Sequence, residues 1–383
     1  MLIRYGKDEK GRLIRQAKVY TLKEHGISRD KLDPDALKVT ERLRNAGYQA
    51  YVVGGAVRDL LINKEPKDYD IATDAYPSRV RKIFRNSRII GKRFRLVHVY
   101  FPDNKILEVA TFRSLDGKDG QNIYGSIDED ARRRDFTLNA LYYSPKEEQI
   151  IDYHDGVKDI RKNRLKSVIP LNTTFVEDPV RMLRAVKYSV TTSSKIPFKL
   201  KKSIKKHSSL LKDVSVSRMT EEIFKILQSS YAAPIFHRCR EMQLFEYLLP
   251  QIHEEMNRSG SGKDFTKKFF SDMDKLDKYT RREGKMKARS RMLQYLTQSW
   301  LDQSGALSAG EDCVFMDVVG ELKNSLKPMI APNREVMDAV KHIFKKNKWK
   351  MPRRRPSYRG STKKSFHKGS QKALAKASNP VQS

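Results

Sequence analysis

A strand, a glycine turn, a helix and a second strand follow one another between residues 49 and 72, and this order constrains the chain more than any other feature. Gln49 to Val53 reads as a strand ending on Gly54-Gly55, and Ala56-Val57-Arg58-Asp59 leads into a helix reaching Ile62. Lys67-Asp68-Tyr69-Asp70 then runs into apolar Ile71 and Ala72, which predicts the next strand. Strand side chains alternate between faces, so Asp68 and Asp70 project the same way. Adjacent carboxylates repel one another and are relieved by cations. A glycine turn at a helix N-terminus offers backbone N–H groups to an anion. Together these parts predict a nucleoside triphosphate held with Mg²⁺, the arrangement of two-metal phosphoryl transfer. Each carboxylate can ligate Mg²⁺ while the ion keeps waters and triphosphate oxygens.

Such a site usually has a third acid, and two residues compete for the role. Glu108 interrupts an apolar strand, Ile106-Leu107-Glu108-Val109-Ala110, where a charge needs a partner or a metal. Asp135 lies in Arg133-Arg134-Asp135-Phe136, where a local ion pair with a neighbouring arginine accounts for it equally well. Arg58, one turn beyond the glycines, is a candidate for the triphosphate. Arg133 and Arg134 are weaker candidates, since arginine clusters on short helices are usually solvated faces. Further on, Asp178 precedes Pro179 and reads as a helix cap. Arg181 shares its face three residues later. A carboxylate beside a guanidinium can also match a base edge, the acid accepting an exocyclic amine and the arginine facing a ring nitrogen. Gly260-Ser261-Gly262-Lys263-Asp264 lacks the spacing and hydroxyl of a P-loop. His98 and His154 read as structural.

The formal net charge of +32 calls for an acidic partner, and nucleic acid is the commonest one. No apolar run approaches the roughly 18 residues of a spanning helix, and the polar start has no signal-peptide core. Cys239 and Cys313 lack metal or redox spacing. These features predict a cytoplasmic protein without a membrane partner. Residues 1–32 read as a basic, partly ordered extension. Asp33-Pro34 starts a helix reaching Asn45. Residues 94–101 and 105–112 predict a hairpin around Pro102-Asp103-Asn104. Residues 114–122 read as a mobile loop, and Ser126 with Glu129 as a capping box. Strand signals fade after about residue 175. Helices are expected over 178–189, 219–227, 234–242 and 264–278. After Asp338 the sequence holds no acid, so residues 345–383 predict a disordered polybasic tail. Lys345, Lys346, Arg353, Arg354, Arg355, Lys363 and Lys364 are its candidates for binding RNA.

Four ordered motifs resemble those of class II nucleotidyltransferases, the family of tRNA CCA-adding enzymes and bacterial poly(A) polymerases. They are Val53-Gly54-Gly55-Ala56-Val57-Arg58-Asp59, the Asp68/Asp70 pair, Arg133-Arg134-Asp135-Phe136-Thr137 with Asn139-Ala140-Leu141, and Glu177-Asp178-Pro179-Val180-Arg181-Met182-Leu183-Arg184-Ala185. The resemblance covers residues 50–190 and implies an α+β fold. It implies a polymerase-β-like head with a mixed sheet over residues 33–170, then a helical neck over 171–232 and a helical body over 233–344. It also implies that Asp68 and Asp70 bind two Mg²⁺ ions, makes Asp135 the favoured third acid, and assigns selection of the incoming nucleotide to Asp178 and Arg181. Ile89-Ile90-Gly91-Lys92-Arg93-Phe94-Arg95-Leu96-Val97-His98-Val99 looks like the poly(A) polymerase branch. The implied activity is addition of AMP from ATP to unrelated RNA 3′ ends. CCA addition to tRNA is the alternative enzyme, and a non-catalytic RNA-binding protein is the alternative from another class.

Overall fold

The computed structural model describes residues 1–7, 10–91, 95–115, 124–282 and 288–350. Their strands are β1 (Leu2–Lys7), β2 (Leu13–Tyr20), β3 (Ala50–Val53), β4 (Asp70–Thr73), β5 (Ser87–Ile90), β6 (Leu96–Tyr100), β7 (Ile106–Thr111), β8 (Leu141–Ser144) and β9 (Gln149–Asp152). They join in one sheet of order β1-β2-β9-β8-β3-β4-β7-β6-β5. β4 and β7 run parallel and the other pairs antiparallel, so the sheet is mixed, as expected. β3 is buried at every position because both faces are covered. Ala50 and Val52 pack with Val39, Leu43, Val57 and Val80 beneath the sheet. Tyr51 and Val53 pack with Phe112, Ile127 and Tyr142 above it.

The Pro34–Asn45 helix buries Ala36, Val39, Thr40 and Leu43, the spacing of one helical stripe. Asp33 caps it, its Oδ1 accepting the N–H groups of Asp35 and Ala36 at 2.9 and 3.1 Å. The capping box of Ser126 and Glu129 also forms. β6 and β7 make the predicted hairpin. Residues 116–122 of the predicted loop lie outside the described residues.

Residues 1–32, expected as a partly ordered extension, join the head sheet. β1 and β2 form a hairpin whose inner strand pairs Lys18, Val19 and Tyr20 with Asp152, Ile151 and Ile150 of β9. Ala17, Val19 and Tyr20 are buried there, while Leu2, Ile3, Leu13 and Ile14 stay exposed. Too few inward positions alternate with polar ones for the pattern to be visible in sequence.

Helices follow from Thr174 onward, and one apolar core runs from Phe136 to Phe344. The helices expected from sequence appear as Val180–Thr191, Val216–Leu227, Ala232–Glu241 and Gly262–Arg282. The chain stays ordered beyond the expected start of the tail at residue 345. Lys345 and Lys346 form the end of the Asn333–Lys346 helix, and Trp349 packs edge-on to Phe344 at 5.4 Å. The apolar stripe Val336, Ala339, Val340, Ile343 and Phe344 carries the helix through those lysines. Arg353, Arg354, Arg355, Lys363 and Lys364 lie outside the described residues. Among the described residues no helix is long and apolar enough to cross a membrane.

Candidate active site

Sheet register builds the site. Asp70 of β4 pairs with Glu108 of β7 on one side and Val53 of β3 on the other. Glu108 pairs with His98 of β6, and Val53 with Tyr142 of β8. His98, Glu108, Asp70, Val53 and Tyr142 therefore form one row across the upper face, since register partners project to the same side. Leu107 and Val109 point below, which leaves Glu108 above. Its side chain is 51% exposed, and its Oε1 lies 3.3 Å from His98 Nε2. His98, structural by its sequence setting, is brought by register beside the acids.

Asp70 keeps an accessible carboxylate. The surrounding protein strips enough solvation from it, with Glu108 and Asp68 adding like charge, to push its pKa up to about 6. Asp68, exposed just before β4, completes the acidic group. Among the described residues no group of three or more His, Cys, Asp or Glu is arranged to hold a metal ion. The donors nevertheless suit Mg²⁺, which takes few carboxylates and retains waters. The unneutralised charge around Asp70 is what a cation relieves.

Asp135 is in a different environment. It is buried, its Oδ1 accepting Phe136 N–H at 2.8 Å and Asn139 Nδ2 at 3.1 Å. Its Oδ2 accepts from Arg184 Nε at 2.6 Å. Burial acts to raise its pKa, but Arg184, Asn139 and Phe136 N–H outweigh burial and hold it below the usual carboxylate range. Protein donors thus engage both oxygens of Asp135, whereas Glu108 is the acid that register sets beside Asp70.

The glycine turn is held from behind. Gly54 adopts φ 66°, a conformation costly for any side chain, and a Cβ there would stand 3.3 Å from Arg134 Nη1. Gly55 starts the Gly55–Leu61 helix. Arg58 was expected on the triphosphate. Instead its Nε donates to Asp59 Oδ1 at 2.8 Å and its Nη1 to Asn139 Oδ1 at 2.7 Å. Its guanidinium lies 5.0 Å from the Tyr188 ring centroid. Arg134 is engaged too, by Asp130 Oδ2 at 3.0 Å, the Tyr142 hydroxyl at 2.9 Å and the Asn139 carbonyl at 3.1 Å. Arg133 donates to the Ser114 carbonyl. Arg58 and Arg134 thus lie against the turn while held by protein partners.

The Val180–Thr191 helix closes the site from the helical half. Arg184 and Tyr188 lie on it one turn apart, and Arg184 stacks on Tyr188 at 5.4 Å, as Arg58 does from the sheet half. Asp178 caps this helix through Val180 N–H at 3.1 Å. Arg181 Nε lies 3.9 Å from Asp178 Oδ2. Sequence reading did not select Arg184 or Tyr188, although both follow Arg181 at helical spacing.

A basic face follows this helix along the chain. No Asp or Glu occurs between Pro179 and Lys212. In the Phe198–His207 helix, Lys199, Lys201, Lys202, Lys205 and Lys206 are exposed, and Phe198 is 79% exposed at its start. Buried Leu200 and Ile204 seat the opposite face. The acid-free run is the sequence signal for this surface, and the more conspicuous basic tail masks it.

Residues 50–166 match the poly A polymerase head domain, and residues 195–256 match a family described as a probable RNA and SrmB-binding site of polymerase A. Poly(A) polymerase I of Salmonella typhi is 43% identical over 253 residues, 62% of this chain and 54% of that protein. The chain is related to the bacterial poly(A) polymerases and CCA-adding enzymes. The CCA-adding enzyme of Lactobacillus helveticus is 36% identical over 57% of each chain. The crystal structure of the Bacillus stearothermophilus CCA-adding enzyme in complex with CTP matches with a TM-score of 0.55 at 25% identity, covering 82% of this chain and 83% of that one. The fold is thus a nucleotidyltransferase head followed by a helical region. The chain spans about half the length of the curated relatives it matches.

Proposed function

We propose that this chain is a template-independent polynucleotide adenylyltransferase acting on RNA 3′ ends in the cytoplasm. The observation that carries the reading is the accessible pair Asp70 and Glu108, side by side in register next to the Gly54 turn, within a head matching that of poly A polymerases. In the reaction the RNA 3′-hydroxyl attacks the α-phosphorus of ATP, and pyrophosphate leaves. Asp68, Asp70 and Glu108 would hold two Mg²⁺ ions, which when bound would activate the hydroxyl and neutralise the leaving group. The backbone at Gly54 and Gly55 cradles the triphosphate. Asp178 and Arg181 read the base. The lysines of the Phe198–His207 helix hold RNA through its phosphates, which gives affinity without sequence. Phe198 offers a surface on which a base can stack. Residues 33–170 serve as head, 171–232 as neck and the helices beyond as body, with β1 and β2 joined to the head and the body running on through Trp349.

The second reading, CCA addition, is favoured by the fold match to the CTP-bound enzyme. Primer extension with each nucleotide alone decides between the two. Repeated AMP addition to unrelated RNAs is the expected outcome. CMP then AMP added only to truncated tRNA would replace this reading with the second, and no addition would leave an RNA-binding protein.

A further inference from the structure

Asp178 is shared by arginines from two helices, and the nearer one lies outside the family-like motif. Arg218 Nη2 donates to Asp178 Oδ2 at 2.7 Å, whereas Arg181 Nε stands 3.9 Å from the same oxygen. Arg181 is turned toward its own side of the chain. Its Nη1 donates to the Thr174 carbonyl at 3.1 Å and to Glu177 Oε2 at 3.0 Å. Arg218 occupies the first turn of the Val216–Leu227 helix. A cation there opposes the helix dipole, and the carboxylate of Asp178 is the counter-charge it meets.

We propose that Arg218 is a positioning residue for nucleotide selection. The inference rests on the reading of Asp178 and Arg181 as the base-selecting pair. A carboxylate oxygen has two lone-pair sites. Arg218 occupies one on Oδ2 and thereby fixes how the carboxylate is turned, while Oδ1 remains on the helix cap. The second site on Oδ2 is left for an exocyclic amine. Adenine carries an amine at the position where guanine carries a carbonyl oxygen, so an acceptor held in this orientation favours ATP over GTP. Without Arg218 the carboxylate is tethered only through Oδ1 and rotates about its cap. The amine then meets a poorly aimed acceptor, and guanine is opposed less strongly.

The test measures initial rates of AMP and GMP addition to one RNA primer, each nucleotide alone, for the full chain and for Arg218→Ala, Arg218→Lys, Asp178→Asn and Arg181→Ala. Arg218 is 53% exposed, so the substitutions leave the core untouched. For Arg218→Ala the ratio of kcat/KM for ATP over GTP should fall on the order of tenfold, the discrimination one good base-edge interaction supplies. The fall should come from a higher KM for ATP at nearly constant kcat, with an unchanged melting curve. Arg218→Lys, which keeps the charge but not the fork, should recover part of the ratio. An unchanged ratio in Arg218→Ala with a lowered ratio in Asp178→Asn overturns the role of Arg218 and leaves the base-selecting pair standing. Unchanged ratios in Asp178→Asn and Arg181→Ala as well overturn both.

Discussion

Replacing Asp135 and replacing Glu108 should have opposite consequences. Asp135→Asn keeps an oxygen for Phe136 N–H but turns an amide donor, or a weaker neutral acceptor, toward Arg184 Nε, which in the native protein lies 2.6 Å from a carboxylate. Removing one partner of a buried ion pair costs roughly 3–5 kcal/mol because the other charge is left uncompensated. Arg184 is 31% exposed and rests on Tyr188, so water and the ring recover part of that loss. A destabilisation of about 2–3 kcal/mol remains. For a domain of this size that lowers the melting temperature by about 4–12 °C. Glu108→Gln, on a half-exposed side chain, should change stability by no more than about 0.5 kcal/mol while abolishing nucleotide addition. Thermal melting by circular dichroism at neutral pH without metal, paired with an extension assay, reads both. Wild-type melting of Asp135→Asn together with unfolding of Glu108→Gln would refute the division of roles between the two acids.

Two further outcomes follow from the charges. The carboxylate of Asp70, with its pKa raised from 3.8 to about 6, binds its proton more tightly folded than unfolded. Its contribution to metal-free stability therefore falls as pH rises from about 4 to about 6, and its ionised form is destabilising above that window. Asp70→Asn should melt above the metal-free wild type at pH 7.5 but not at pH 4, and wild-type Mg²⁺ affinity should decline below pH 6; equal melting at pH 7.5 would contradict this. Reversing Lys201, Lys202 and Lys205 to Glu should weaken RNA binding and reduce the salt slope by about 2, at about 0.7 for each phosphate no longer neutralised, with ATP affinity unchanged in a filter-binding or fluorescence titration; an unaltered slope would move the RNA elsewhere.

The local grammar of the head was legible because each signal is short and chemically specific. Asp33 before Pro34, Ser126 with Glu129, and the glycine turn each act within a few residues. The strand after the turn was expected from Asp68, but it begins at Asp70, which leaves Asp68 just before it. The choice between Glu108 and Asp135 was not legible, because it depends on β4 pairing in parallel with β7, which are separated by two other strands in sequence. The protein partners of the arginines were hidden for a related reason. Their residue type suits phosphate, but Asn139, Asp130 and Tyr142 engage their donors only once the fold has formed. The hairpin of β1 and β2 escaped notice because few of its side chains reach a core. Arg218 meets Asp178 from another helix, so no motif spacing links them.

The most direct test of the central claim is single-turnover AMP incorporation by Asp68→Ala and Asp70→Ala, run beside circular dichroism and an RNA-binding titration. Both variants should give native spectra, wild-type RNA affinity and no detectable extension, since each lacks a carboxylate that would hold the Mg²⁺ ions neutralising the reacting oxygens. AMP addition at the wild-type rate by a correctly folded variant would contradict the claim.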